Sequence, residues 1–107
     1  MARRRVVITG LGIVSPVGNS VEEAWQKLLA GRSGIDTVSR FDASSFSSRV
    51  AGEVRNFDIT TYLPAKDARR MDIFIHYGMA AGIQAVRDAG LGENQADAER
   101  IGVAIGS

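Results

Sequence analysis

Four consecutive β-branched residues, Val6-Val7-Ile8-Thr9, enter the chain with no polar alternation. A strand with one wet face alternates apolar and polar residues, so this run suits a strand buried on both faces. Such strands belong to parallel sheets packed between helices, which need far more chain than a hairpin. A second run of the same kind, Ile101-Gly-Val-Ala-Ile105, closes the sequence. The intervening residues should therefore supply covering helices.

Two helices are well marked. Ser20 is a natural N-cap with Glu23 three residues on, a capping box, and Glu22 and Glu23 suit the positive end of the helix dipole. This helix is predicted over Val21 to Ala30, with Ala24, Trp25, Leu28 and Leu29 on one stripe and Gly31 placed to end it. The longer helix is predicted from Asp72 to Ala89, with Gly90 behind it; eighteen residues at ~1.5 Å each span about 27 Å. Its residues Ile73, Phe74, Ile75, Tyr77, Met79, Ala80, Ala81, Ile83, Ala85 and Val86 occupy nearly every face, the pattern of a central helix packed on several sides. Gly78 and Gly82, four apart, would let another backbone come close.

The remaining segments are weaker. Residues 32–48 read as loop, Val50 to Val54 as a short strand weakened by Gly52, and Asn56-Phe57-Asp58 as a turn. Pro64 to Met71 is a short basic helical segment, with Pro64 suited to the first helical position. Gly92 to Arg100 is a polar return. The order strand, helix, weak strand, long helix, strand fits α/β with a mainly parallel sheet. Two helices cannot cover such a sheet, so the chain is expected to be the N-terminal part of a larger domain; the alternative is a small α/β domain that ends untidily or completes itself by dimerising.

Composition sets outer limits. The 107 residues are 45% hydrophobic and 23% charged, which argues against wholesale disorder. A net charge of +1 gives no reason to expect nucleic acid or an anionic membrane as partner, and Arg3-Arg4-Arg5 is too short to alter that. No cysteine is present, which excludes disulfides, thiolate zinc sites and a cysteine nucleophile within these residues. Residues 73–86 lack formal charge but fall short of the ~20 apolar residues of a membrane span, so a buried helix of a cytoplasmic protein is expected.

Three motifs carry possible chemistry. Thr9-Gly10-Leu11-Gly12 follows a strand as a dinucleotide fingerprint would, but Ser15 stands where the third glycine belongs. The capped helix also begins near Ser20, beyond Pro16, too late to meet a pyrophosphate. A structural role is the better reading. His76 lies one turn after Asp72, so a dyad is conceivable. No nucleophile accompanies it, which favours a hydrogen-bonded packing histidine. Lys66, Arg69 and Arg70 are spaced i, i+3, i+4 and project from one face of a helical segment. Such clusters are usually solvated, yet several cations on one face can steer an acidic protein partner.

The run Arg5-Val-Val-Ile-Thr-Gly-Leu-Gly-Ile-Val-Ser-Pro-Val-Gly-Asn19 resembles the opening of the β-ketoacyl-acyl-carrier-protein synthases of the second bacterial type. So do Trp25-Gln-Lys-Leu-Leu-Ala-Gly-Arg-Ser-Gly-Ile35 and Lys66-Asp-Ala-Arg-Arg-Met-Asp-Ile-Phe-Ile-His-Tyr-Gly78. Arg100-Ile-Gly-Val-Ala-Ile-Gly-Ser107 is similar to the strand leading into that family's acyl-pocket loop. The resemblance implies a thiolase-like layered α-β-α-β-α fold, of which these residues are an incomplete N-terminal part. It implies decarboxylative Claisen condensation of an acyl-enzyme with malonyl-acyl-carrier protein in fatty-acid elongation, by a cytoplasmic homodimer. A cysteine at a helix N-terminus and two histidines do that chemistry. None of the three matches a residue here, so no catalytic residue, metal ligand or cofactor-binding residue is expected in this chain. What carries over is Lys66, Arg69 and Arg70, at positions that in the family face acyl carrier protein. The alternative is a non-catalytic partner subunit of the chain-length-factor kind, which keeps the fold and lacks the cysteine.

Overall fold

A computed structural model describes residues 2–92 and 97–107 of the chain. Helix α1 spans Val21–Leu29; strands β1 (Ile35–Thr37) and β2 (Val50–Gly52) follow, then a 3-10 turn over Ile59–Thr61. Helix α2 (Ala65–Ala68), helix α3 (Ile73–Asp88) and a 3-10 turn over Ala98–Arg100 complete the order. Residues 93–96 of the polar return lie outside the described residues.

The helix ends follow their local chemistry. Ser20 Oγ accepts the Glu23 N–H at 3.2 Å, while the Glu23 carboxylate accepts from the Asn19 N–H at 3.2 Å. The return bond of the capping box thus falls one residue upstream of its usual place. At the C-terminus Gly31 is left-handed (φ 70°), and the Arg32 and Gly31 N–H groups reach the Lys27 and Leu28 carbonyls. Helix α3 ends identically: Gly90 has φ 73°, with Leu91 and Gly90 donating to Val86 and Arg87. Both are Schellman closures, which satisfy carbonyls that a helix end leaves free.

The sheet departs from expectation. Among the described residues it is a two-stranded antiparallel pair, with Ile35 opposite Gly52 and Thr37 opposite Val50. The stretch 32–48, read as loop, therefore holds β1, and the expected parallel sheet is absent from these residues. Ile-Asp-Thr is too short and too mixed for its pattern to announce a strand; only the pairing with Val50–Gly52 defines it. The two double-faced runs are not strands here either. Val6, Val7 and Ile8 are 89%, 70% and 81% exposed, and no other described segment pairs with them. Residues 101–105 are exposed as well. A ladder needs a neighbour, and the described residues offer none at either place.

The segment after the first run instead seats itself on α3. A Cβ at Gly10 would strike the Ala85 carbonyl and Ala89, and one at Gly12 the Ala81 carbonyl, the Ala85 amide and Gln84. Only glycine lets this backbone lie so close to a helix. Two side chains on α3 lock it: Asp88 accepts the Leu11 N–H at 2.9 Å and Gln84 accepts the Ile13 N–H at 3.2 Å. Gln84 then donates to the Asn19 carbonyl (2.8 Å) and the Tyr62 hydroxyl (3.0 Å).

A neighbouring stripe of α3 is uncovered. Gly78 and Gly82 have open space where a side chain would stand, and Phe74, Met79 and Val86 are exposed. Gly78, Met79, Gly82 and Val86 border a groove of about 790 Å³ whose far wall is Gly102–Ile105. On α1 the predicted stripe is buried only at Ala24, leaving Trp25, Leu28 and Leu29 exposed. Among the described residues the buried apolar ones are all alanines: Ala24, Ala43, Ala68 and Ala80. A compact monomer of this mass would expose about 5,800 Å², whereas this chain exposes 8908 Å². Its radius of gyration is 17.4 Å, against about 13 Å for a compact domain of this length. The interior faces of several elements are on the outside.

Candidate functional site

The basic cluster sits on a small, well-anchored turn. Pro64 is the N-cap of α2 rather than its first helical residue, with φ −59° and ψ 141°. Its carbonyl accepts the N–H groups of Asp67 and Ala68, so its missing donor costs nothing. Beyond Ala68 the chain keeps turning, with Arg70 N–H donating to Asp67 and Met71 N–H to Ala68. The helical spacing therefore extends through Arg70, and Lys66, Arg69 and Arg70 stay on one side of it. All three are exposed, and among the described residues none forms an ion pair. Asp67 is the only acid among these cations, so the turn is strongly positive for its size.

Neighbouring side chains brace this turn. Phe57 meets Tyr77 edge-to-face at 5.3 Å and Tyr62 in a stacked arrangement at 6.5 Å, tying the 3-10 turn ahead of α2 to helix α3. Asp58 caps that 3-10 turn; the Thr60 hydroxyl and then the Thr60 N–H hold its carboxyl below the usual range. Arg40, from the connection between β1 and β2, donates to the Tyr77 hydroxyl and the Val54 carbonyl, both at 2.9 Å. It also stands 3.7 Å from the buried Glu53 carboxylate. Glu53 accepts the Ser39 N–H at 2.7 Å; that bond, followed by the Ser39 hydroxyl, Arg40 and Arg55, keeps its carboxyl low against the opposing effect of burial.

The conceivable Asp72–His76 dyad does not form. The imidazole Nε2 of His76 lies 2.7 Å from the Ala68 carbonyl, and Asp72 offers His76 only its backbone carbonyl. The dinucleotide alternative has no physical basis in this arrangement. Gly10 and Gly12 face the C-terminal half of α3, and the N–H groups of Leu11 and Ile13 are already taken by Asp88 and Gln84. Among the described residues no three His, Asp or Glu side chains gather closely enough to hold a metal ion. Sequence reasoning passed over Gln84 and Arg40. For Gln84 the signal was present: an amide within a helical stretch without formal charge.

Comparison with known proteins places these elements. Residues 3–107 match the family described as beta-ketoacyl synthase, N-terminal domain. Across all 107 residues the chain is 59% identical to the 3-oxoacyl-[acyl-carrier-protein] synthase 2 of Vibrio cholerae serotype O1, covering 26% of that protein. It is 53% identical to the protein of that name from Coxiella burnetii, again over its full length and 26% of the relative. It thus spans about a quarter of the length of these curated relatives. Among solved structures it is similar to the ishigamide ketosynthase/chain length factor, with TM-score 0.73 and 43% identity over 86% of this chain and 23% of that one.

Proposed function

The chain belongs to the β-ketoacyl synthase family, within its N-terminal domain, and from that premise we propose that it forms the opening part of a 3-oxoacyl-acyl-carrier-protein synthase. The carrying observation is the unbroken match, at 59% identity, to a relative bearing that name. In this reading the remainder of the polypeptide covers the bare face of α3 and pairs with residues 6–9 and 101–105. That accounts for a surface about half as large again as a closed domain would show. The catalytic groups lie elsewhere in the protein, since this chain holds no cysteine. The complete protein is then a cytoplasmic homodimer of fatty-acid synthesis. No helix among the described residues is long and apolar enough to cross a membrane, which is compatible with that location.

The share of this segment in the reaction is recognition. Lys66, Arg69 and Arg70 are exposed cations on one turn, without an ion pair among the described residues, suited to an acidic carrier protein bringing acyl and malonyl groups. The complete protein should release carbon dioxide and 3-oxoacyl-carrier protein from purified acyl- and malonyl-carrier protein, and the 107-residue chain should not. Product from the short chain, or none from the complete one, overturns the enzymatic reading. Arg69→Glu with Arg70→Glu should lower kcat/KM for carrier-borne substrate by about ten-fold, on the order of two exposed ion pairs. An unchanged value removes the docking role.

A second reading is favoured by the structural neighbour, whose name joins a ketosynthase to a chain length factor. A partner subunit of that kind would share the fold and lack the nucleophile. The residue at the nucleophile position of the complete protein separates the two: cysteine for the enzyme, glutamine for the partner subunit.

A further inference from the structure

Helix α2 is four residues long, far below the length at which a helix sustains itself in water. Yet it and the turn after it carry all three cations of the docking edge, so their direction must be set from outside. Pro64 fixes the start of the helix. Its end is gripped from α3, where His76 approaches the Ala68 carbonyl at 2.7 Å. A carbonyl can only accept, so Nε2 carries the proton and donates it. The second lone pair of the same oxygen takes the Met71 N–H at 3.2 Å. This carbonyl belongs to the peptide unit that joins Ala68 to Arg69. The imidazole therefore holds the plane from which Arg69 and Arg70 depart, while Ala68 itself is buried (5% exposed) beneath them.

We propose that His76 is a positioning residue for carrier-protein docking, tying the C-terminal end of α2 to α3 and so aiming Lys66, Arg69 and Arg70. The inference rests on the docking role proposed above. His76 touches neither carrier nor substrate; it acts through the Ala68–Arg69 peptide. The alternative partner one turn away, Asp72, leaves the ring free for this task, because only its main chain meets His76.

Steady-state kinetics of the complete protein with varied acyl-carrier protein test this. His76→Leu removes the donor and should raise KM for the carrier-borne substrate about five-fold, the effect of one ordinary hydrogen bond. Its kcat should stay within about two-fold, as expected when only binding is lost. His76→Gln keeps an N–H donor on a side chain of similar reach and should restore most of the KM. An unchanged KM in His76→Leu overturns the proposal. So does a fall in kcat that His76→Gln leaves unrepaired, which marks a general folding defect. If Arg69→Glu with Arg70→Glu also leaves KM unchanged, the docking role itself fails. If that double variant is impaired while His76→Leu is not, only the role of His76 is lost.

Discussion

Two neighbouring stripes of helix α3 carry similar sequence devices and have opposite fates. On one, a backbone threaded through Gly10 and Gly12 lies against Ala81 and Ala85, and Gln84 and Asp88 take up its N–H groups. On the other, Gly78 and Gly82 stand equally ready for a close neighbour and meet empty space. Small residues on a helix permit contact without creating it; what creates it is a partner whose polar backbone groups are satisfied on arrival. The covered face has that partner within these residues. The bare face, in the proposed reading, receives it from the rest of the protein.

This contrast can be broken by substitution. The largest effect is expected for Gly12→Val, which drives a branched side chain into the Ala81 carbonyl and the Ala85 amide. It should cost about 3 kcal/mol, the upper part of the range for overpacking. Urea melts of the complete protein would measure it, and a neutral result would mean that the segment does not seat on α3. Gln84→Leu should cost about 2 kcal/mol, because the Ile13 N–H, the Asn19 carbonyl and the Tyr62 hydroxyl lose their partner together. Little change there would show that water replaces the amide easily.

Gly82→Ala sharpens the contrast because its sign depends on context. In the 107-residue chain nothing opposes a methyl group, and alanine should stabilise the helix by up to about 1 kcal/mol. In the complete protein the same change should destabilise, if another backbone is seated there. Equal melting shifts in the two proteins would contradict the proposed covering of this face. The smallest effect concerns acid. The Glu53 carboxyl titrates below its unfolded value, first through the Ser39 N–H and then through the Ser39 hydroxyl, Arg40 and Arg55. Its contribution is therefore fully present above the unfolded carboxylate pKa of about 4.3 and fades as pH falls through the lower folded value. Thermal melts between neutral and acid pH should show a loss confined to the acid side. Glu53→Gln should flatten that part of the profile, and a profile unchanged by the substitution would exclude this carboxylate as its cause.

Some of the architecture was legible from single segments. Ser20, Glu23 and Gly31 bracket α1, and Gly90 closes α3, within a residue or two of expectation. Asn56 provides the left-handed residue of the predicted turn, with φ 57°. The cations of the candidate site were equally visible, since helical spacing alone puts Lys66, Arg69 and Arg70 together. Their support was not. The bond from His76 to Ala68 and the anchoring of Tyr77 by Arg40 join positions that no short window contains.

The division follows from how far each hydrogen bond reaches along the chain. A helix closes its bonds within four residues, and its caps within one or two more, so neighbouring side chains alone decide α1 and α3. A strand's bonds end on a distant segment. Val6-Val7-Ile8-Thr9 therefore states a need for burial on both faces without providing the means, while Ile35–Thr37, with hardly any signal of its own, becomes a strand because Val50–Gly52 lies beside it. Sequence alone determined the helices, their ends and the charge of the basic turn. Only the tertiary structure decided which apolar faces found partners, because burial is a property of pairs of segments rather than of any one.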